Sequence, residues 1–342
     1  MIKVLVVDDA PFMRMIFKQV IEKDSELKVI SHAENGQIAL EKIKEIKPDV
    51  ITLDIDMPVK NGLETLRDIM SFPEPIPCIM VSALDDKETV LKALDLGAFD
   101  FIAKPSKPHT SNIGEIEDKL IKQLKAAASV QSNTKDIEPI IPYNEEKPLK
   151  ISDKYPIIAI GSSSGGPRAL NKILPVFPAN FPAAIVIVQH MPKGFTNSLA
   201  ERLNQESSIT VKEANQNDRL KPGLALIAPG GFHLEINEKE NVKLNRNPPV
   251  HSVRPAVDIM MTSLAQNFKD RFIGVILTGM GADGAEGMKL IKENKGYGII
   301  EDRSTAMVYG MPQAVKKAGA YDVIAPIHQI PSKIIKVIER CF

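Results

Sequence analysis

The segment from residue 157 to residue 167 constrains the fold around it more than any other part of the chain. Its sequence is Ile-Ile-Ala-Ile-Gly-Ser-Ser-Ser-Gly-Gly-Pro, an apolar run that ends in a Gly-x-Ser-x-Gly turn. A strand, such a turn and a proline in the first turn of a helix together present a serine hydroxyl above a sheet edge. The alternative is a Gly/Ser turn that binds phosphate or is only structural. The pattern predicts a nucleophile if partner residues exist elsewhere.

Length and composition limit the classes of protein that this chain can belong to. Its 342 residues favour two domains, and its 43 basic and 43 acidic residues cancel, so nucleic acid is not an expected partner. Cys78 and Cys341 are too few for a disulfide framework or a site of paired cysteines. We expect no signal peptide, because the first residues lead into a short strand, and no apolar stretch reaches about 20 residues. We expect a cytoplasmic monomer without membrane insertion.

Apolar runs alternate with helical patterns in both halves of the chain, which predicts two doubly wound α/β domains with mainly parallel sheets. Residues 126–154 lack either period and contain many polar residues and prolines, so we expect a linker between domains at 1–125 and 155–342. A hairpin is expected between Phe232 and Leu244. The expected strands are Val4 to Val7, Val29 to Ser31, Val50 to Leu53, Cys78 to Val81, Phe99 to Ile102, Ile157 to Ile160, Ala184 to Val188, Leu224 to Ala228, Phe272 to Leu277 and Gly298 to Ile300.

Polar side chains follow the strands of the first half. Asp8 and Asp9 follow the first strand, Asp54 the third, Ser82 the fourth and Lys104 the fifth. Because parallel strands end at one sheet edge, three carboxylates should converge there, and an oxygen-only cluster of this kind suits Mg²⁺. The alternative is a set of solvated acids at the strand ends.

These residues resemble the response-regulator receiver family, which has a flavodoxin-like fold, over about residues 1–125. The resemblance implies Asp54 as phosphoacceptor, Asp8, Asp9 and Asp54 around Mg²⁺, and a histidine kinase as phosphodonor. It further implies that Ser82 and Lys104 sense the phosphoryl group and that Phe101 is an aromatic switch. The matching segments are Val-Val-Asp-Asp at 6–9, Asp-Ile-Asp-Met-Pro at 54–58, Asn-Gly at 61–62, Val-Ser-Ala at 81–83 and Lys-Pro at 104–105.

An activated serine needs a base and an acid at neighbouring strand ends. His190 follows the apolar strand at 184–188, and Asp283 lies in the loop after the strand at 272–277. His251 precedes a helix and could line a pocket, whereas the other four histidines are less suitably placed. The alternatives for the acid are Asp258, Asp302 and Asp322. The sequence favours His190 and Asp283 as partners of the serine.

The loop that contains Asp283 also supports a different class of function. Gly279, Gly281 and Gly284 form a G-x-G-x-x-G pattern after a strand, and Glu301 follows at about the distance of a ribose-binding acid. This is the pattern of a dinucleotide site. Against it, the Asp283 carboxylate inside the turn would repel a pyrophosphate. We therefore favour the hydrolytic interpretation.

Residues 155–342 resemble the catalytic domain of the chemotaxis methylesterase family, through the segments 161–167, 189–192, 277–284 and 309–312. The family motif has Ala-Ser-Thr where this chain has three serines, so the nucleophile carries over to Ser163. The resemblance implies hydrolysis of glutamyl methyl esters on chemoreceptors, with methanol release, and deamidation of receptor glutamines. The hydrolysis needs no cofactor. The receiver would restrict receptor access until Asp54 is phosphorylated.

Two further sets of residues complete the expectations for this domain. Backbone amides near Ser164 or Gly165, and that of Met280, are candidates for stabilising the oxyanion. Arg254 and Met311 are candidates for lining the groove that receives a receptor helix. The oxyanion candidates derive from their position near the expected turn, and the groove candidates are implied by the family resemblance.

Overall fold

The computed structural model describes residues 1–83, 86–104, 113–129, 155–268 and 271–341, without the side chains of 113–116. The chain divides into two compact units, Met1–Asn133 and Thr134–Phe342. Each contains a parallel sheet covered by helices, which confirms the predicted fold class. Among the described residues, no helix is long and apolar enough to cross a membrane. Pro105, His109 and residues 130–154 of the predicted linker lie outside the described residues.

The first unit has a five-stranded parallel sheet in the order β2-β1-β3-β4-β5. The direction of winding reverses between β1 and β3, so a cleft opens at the carboxyl ends of these two strands. Its elements are β1 (Ile2–Val7), α1 (Pro11–Ile21), β2 (Leu27–Ala33), α2 (Gly36–Ile46), β3 (Val50–Asp54), α3 (Gly62–Met70), β4 (Cys78–Ser82), α4 (Lys87–Leu96), β5 (Asp100–Ala103) and α5 (Ile113–Ser129).

Local sequence accounts for these elements. Every residue of β3 and β4 is buried, as expected for central strands with helices on both faces of the sheet. The helix α3 begins at a capping box, in which the Asn61 side chain accepts from the Glu64 amide and the Glu64 carboxylate accepts from the Asn61 amide. Burial thus accounts for the two central strands, and the capping box accounts for the start of α3.

The predicted end of the first domain, at residue 125, falls inside α5, which continues to Ser129. Three alanines at 126–128 favour the helical conformation, and Ala127 is fully buried. The helix therefore extends four residues into the predicted linker. Polar composition predicted a linker from residue 126 onward, whereas the burial of Ala127 favours the helix as far as Ser129.

The second unit has a seven-stranded parallel sheet in the order β14-β13-β12-β6-β7-β9-β8, and a separate antiparallel hairpin of β10 and β11. Its winding reverses at β6, which lies between β12 and β7. Its elements are β6 (Ile157–Ser162), α6 (Gly166–Ile173), β7 (Ala184–Gln189), α7 (Phe195–Glu206), β8 (Thr210–Glu213), β9 (Leu224–Ile227), β10 (His233–Ile236), β11 (Val242–Asn245), α8 (Val257–Asn267), β12 (Phe272–Ile276), α9 (Ala285–Glu293), β13 (Tyr297–Glu301), α10 (Gly310–Lys317), β14 (Val323–Ala325) and α11 (Ile330–Cys341).

The hairpin confirms the prediction for residues 232–244, whereas the two edge strands were not predicted. The sequence of β8 is Thr-Val-Lys-Glu, and β14 has only three residues. β8 has a single apolar residue, and the apolar run Val-Ile-Ala of β14 is too short to identify a buried strand. Short and polar edge strands are common because they discourage pairing with other chains, and this makes them hard to detect from hydrophobicity.

Two phenylalanines on α1 provide a test of where the core of the first unit lies. Phe17 is buried and Phe12 is 54 % exposed. We expect Phe17→Ala to lower the free energy of unfolding of this unit by about 3–5 kcal/mol, because a large cavity remains. Phe12→Ala should change it by less than about 1 kcal/mol. Urea unfolding followed by circular dichroism measures both, and equal effects would contradict the assigned helix face.

Candidate functional site

Three adjacent strands, β12, β6 and β7, bring the predicted serine, histidine and aspartate to one edge of the second sheet. Ser163 follows the last residue of β6, and His190 follows the last residue of β7. Asp283 lies in the loop between β12 and α9. This edge includes the point where the winding of the sheet reverses, the usual position of binding sites in open α/β sheets.

Exposure distinguishes the three consecutive serines. Ser162 is fully buried, and its hydroxyl donates to Gln189 Oε1 at 2.7 Å. Ser164 is 5 % exposed, and its carbonyl accepts from the Thr278 hydroxyl at 2.9 Å. Ser163 is the half-buried member of the three. The serine predicted as the nucleophile is thus the one whose side chain has access to solvent.

The backbone of Ser163 is held on both sides. Its amide donates to the Thr278 carbonyl at 3.0 Å, and its carbonyl accepts from the Gly166 amide at 2.8 Å and from Gln189 Nε2 at 2.9 Å. Gly165 has a φ of 78°, a conformation that favours glycine. The sharp turn into α6 therefore fixes the position of Ser163 through the backbone.

His190 and Asp283 are in direct contact. His190 Nε2 lies 2.7 Å from Asp283 Oδ2, and both side chains are largely buried. Asp283 also accepts from the amides of Val257 and Asp258, at 2.7 and 2.9 Å, which are the first two amides of α8. Burial opposes ionisation of Asp283, but the histidine and these amides outweigh it, so the pKa of the carboxyl lies below its usual value.

Asp258 is a member of this cluster that sequence reasoning named only as an alternative acid. Its Oδ1 accepts from the Gly287 amide in the first turn of α9 at 2.7 Å, and its Oδ2 lies 2.8 Å from His251 Nε2. Burial, and then the nearby charge of Asp283, raise the pKa of Asp258. Asp283 thus caps α8 while Asp258 on α8 caps α9, a reciprocal arrangement that no local sequence pattern indicates.

The ligand atoms of His251, Asp258 and Asp283 lie within 4.8 Å of one another. Each of these side chains already has a hydrogen-bond partner in or beside the cluster. Hydrogen bonding and helix capping account for the arrangement, so we do not assign a metal to it.

The predicted oxyanion donors lie beside the nucleophile turn. Within the described part of the chain, the amides of Gly165 and Met280 have no hydrogen-bond acceptor. Gly165 lies in the loop after β6 and Met280 in the loop after β12, and both loops border the half-buried Ser163. Ser164 contributes its carbonyl to the fixation of the turn. The role of these amides remains a prediction.

Two predicted groove residues have other surroundings in the structure. Met311 is fully buried, and its sulfur would lie only 2.3 Å from a Cβ atom added to Gly279, so it packs behind the loop and cannot line an open groove. Arg254 is half-buried, and its Nη1 donates to the carbonyls of Arg246 and Asn247. Arg254 therefore holds its own loop together.

The residues of the dinucleotide pattern are not arranged for a cofactor. Glu301 is 1 % exposed, and its carboxylate accepts from the Thr278 amide at 2.7 Å, so it is not available to a ribose. The pKa of Asp283 lies below its usual value, so this side chain places a negative charge in the loop where a pyrophosphate would bind. Gly284 begins α9 with a φ of 95°, which gives this glycine a structural role.

The second cluster, in the first unit, is at the carboxyl ends of its central strands. Lys104 Nζ lies 2.7 Å from Asp54 Oδ2 and 3.3 Å from Asp8 Oδ2. Asp54 and Asp8 are buried, whereas Asp9 is exposed. Burial, opposed by Lys104 and reinforced by Asp8, raises the pKa of Asp54 to about 6. The pocket therefore has an excess of negative charge that a cation would compensate.

The three carboxylates of Asp8, Asp9 and Asp54 provide oxygen atoms within 4.8 Å of one another. A set of hard oxygen ligands open on the Asp9 side fits Mg²⁺. Ser82, at the end of β4, is buried and donates its hydroxyl to the Ala83 carbonyl. Phe101 is buried in β5, with Lys119 Nζ 5.4 Å from its ring centre.

Both units are thus parallel α/β folds with polar clusters at their sheet edges, and the second places Ser163, His190 and Asp283 at one such edge. Residues 158–334 match the family described as CheB methylesterase, and residues 4–111 match the response regulator receiver domain. The chain belongs to the CheB methylesterase family and has a receiver domain in front.

Relatives support this membership over the whole length. A protein-glutamate methylesterase/protein-glutamine glutaminase of Pyrococcus abyssi is 43 % identical over 99 % of this chain and 94 % of its own length. That of Thermotoga maritima is 43 % identical over 98 % of both chains. The crystal structure of the Thermotoga maritima CheB methylesterase catalytic domain is 47 % identical, with a TM-score of 0.53, over 54 % of this chain and 99 % of that chain.

The buried charge of Asp54 should make the stability of the receiver depend on pH. Because its pKa in the folded state, about 6, exceeds the ordinary value of 3.8, the contribution of Asp54 to stability is complete below pH 3.8 and is lost as the pH rises through 6. In EDTA at pH 8, Asp54→Asn should therefore stabilise the receiver by about 1–3 kcal/mol, and the gain should vanish near pH 4.

Chemical denaturation at the two pH values measures this difference. Asp56→Asn is the matched control, since Asp56 is exposed and only two residues away. It should leave the stability of the receiver unchanged at both pH values. A stabilisation by Asp54→Asn that is independent of pH would contradict the assignment to the buried charge.

Proposed function

We propose that this chain hydrolyses glutamyl methyl esters on chemoreceptors, releasing methanol, and that its receiver controls the reaction through phosphorylation of Asp54. The observation that carries the proposal is the 2.7 Å contact of His190 with Asp283 at the strand ends next to the half-buried Ser163. The printed names of the full-length relatives, protein-glutamate methylesterase/protein-glutamine glutaminase, supply the substrate class.

In the proposed mechanism Ser163 Oγ attacks the ester carbonyl while His190 takes its proton. His190 Nε2 is engaged with Asp283, so Nδ1 is the ring nitrogen that serves Ser163. Ionised Asp283 holds the ring orientation and stabilises the imidazolium that forms. The amides of Gly165 and Met280 are placed to receive the oxyanion, and each such donor typically contributes about 3 kcal/mol to the transition state.

His190 then returns the proton to the methoxy group, which leaves as methanol, and Ser163 remains as an acyl ester. A water molecule, deprotonated by His190, attacks this ester and releases glutamate, and the proton returns to Ser163 Oγ. A glutamine side chain follows the same steps with ammonia as the leaving group. One site therefore supports both activities named for the relatives.

The receiver supplies the control. Asp54 is the proposed phosphoacceptor, with Asp8 and Asp9 completing the Mg²⁺ ligands and a histidine kinase as phosphodonor. The ion neutralises charge on the incoming phosphoryl group when bound, and Lys104 contributes a second positive charge next to Asp54. Ser82 and Phe101 are proposed to respond to the modification. Added charge at Asp54 shifts the access of receptors to the Ser163 site.

The nucleophile is tested by substitution of the consecutive serines in the full chain. Ser163→Ala should lower methanol release from a methylated receptor at least about a thousandfold, because no acyl-enzyme can form. Ser162→Ala and Ser164→Ala should retain activity within about tenfold, since both side chains are buried. Substantial activity in Ser163→Ala, measured as released methanol, would falsify the proposed mechanism.

The control is tested with a small phosphodonor such as acetyl phosphate and Mg²⁺. The wild-type rate of methanol release should rise several-fold, and the rise should be absent in Asp54→Asn or after addition of EDTA. Asp56→Asn should respond as the wild type does. If Asp54→Asn were still activated, Asp54 would not be the regulatory phosphoacceptor, whatever the outcome for Ser163.

A further inference from the structure

Glu301, the last residue of β13, has a buried carboxylate that the proposed chemistry does not use. Its side chain is 1 % exposed, Oε2 accepts from the Thr278 amide at 2.7 Å, and Oε1 accepts from the Thr305 hydroxyl at 3.0 Å. Among the described residues it forms no ion pair. A buried carboxylate without a cation is costly, so its position calls for an explanation.

Thr278 links Glu301 to the nucleophile turn. The Thr278 carbonyl accepts from the Ser163 amide at 3.0 Å, and the Thr278 hydroxyl donates to the Ser164 carbonyl at 2.9 Å. The same hydroxyl accepts from the Val308 amide at 2.9 Å. Every polar group of Thr278 is thus engaged, and two of its bonds fix consecutive residues of the turn.

We propose that Glu301 is a positioning residue for Ser163, acting through Thr278. By accepting a hydrogen bond from the Thr278 amide, Glu301 sets the orientation of the Thr278 carbonyl and hydroxyl, which hold the turn. The proposal rests on the proposed role of Ser163 as nucleophile. A misplacement of about 1 Å at a reacting atom can lower a rate by up to about a hundredfold. Loss of the Glu301 bond can therefore lower the rate although Glu301 acts on Ser163 only through Thr278.

The geometry requires an acceptor at this position more than it requires a charge. Burial raises the pKa of Glu301 to about 7, although the hydrogen bonds from Thr278 and Thr305 and the charge of Lys172 on α6 lower it, so both protonation states are present near neutral pH. Either state keeps an oxygen that accepts from the Thr278 amide. A glutamine amide oxygen can do the same, whereas alanine leaves the buried amide without an acceptor.

The test measures kcat and KM for methanol release in full-length Glu301→Ala and Glu301→Gln. We expect Glu301→Ala to lower kcat about 10- to 100-fold with KM changed less than about threefold, because the turn moves while the buried Glu301 side chain itself does not contact the substrate. Glu301→Gln should retain kcat within about threefold. Asp302→Asn is the control, since Asp302 makes no hydrogen bond to Thr278 or to the turn at 162–165, and it should match the wild type.

Thr278→Val and Thr278→Ser keep the test decisive if Glu301→Ala fails to fold. The valine variant removes the hydroxyl that holds Ser164 and should lower kcat, whereas the serine variant should preserve it. Wild-type kcat in both Glu301→Ala and Thr278→Val, or equal losses in Glu301→Gln and Glu301→Ala, would overturn the inference. Activity in Ser163→Ala would instead overturn the proposed function, so the two failures are distinguishable.

Discussion

The burial of the Asp283 charge is the constraint on which the geometry of the second unit depends. A carboxylate that is 2 % exposed is stable only if donors surround it, and the first two amides of α8 and His190 Nε2 provide three. These bonds fix the start of α8 against the loop after β12. The reciprocal bond from Gly287 to Asp258 fixes the start of α9. The Asp283 carboxylate thus places α8 and the imidazole, and the Asp258 carboxylate places α9.

The sheet topology explains why residues far apart in sequence meet at this charge. Winding begins at β6 and proceeds through β7, and the chain later returns to place β12 on the other side of β6. The carboxyl ends of these three strands are therefore neighbours, although Ser163 and Asp283 are 120 positions apart in the sequence. The chain order is serine, histidine, aspartate, which differs from the order in α/β-hydrolases. The similarity to those enzymes is one of geometry.

Reasoning from strand ends predicted where Ser163, His190 and Asp283 lie, because parallel strands leave few places for polar residues. It could not predict the partners that hold them. Gln189 and Thr278 directly follow two of the predicted strands, but their bonds to the nucleophile turn depend on side-chain directions that no period in the sequence specifies. The family resemblance suggested Met311 as a groove residue, whereas packing against Gly279 buries it.

The pKa of a buried aspartate is shifted in opposite directions in the two units, and the surrounding groups explain the difference. Asp283 accepts three hydrogen bonds, two from a helix N-terminus, and its pKa is lowered. Asp54 accepts one amide, from Ile55, and one lysine, with Asp8 as a buried neighbour of like charge, and its pKa is raised to about 6.

Each arrangement suits the role proposed for the residue. An acid that orients a histidine must stay ionised throughout a cycle, so permanent donors from the backbone are appropriate. An acid that binds a cation and accepts a phosphoryl group must leave its oxygens available, so the pocket keeps an uncompensated charge until those ligands arrive. Burial is common to both sites, and the groups around each aspartate, His190 and two amides at Asp283 against Lys104, Asp8 and one amide at Asp54, set the direction of its pKa shift.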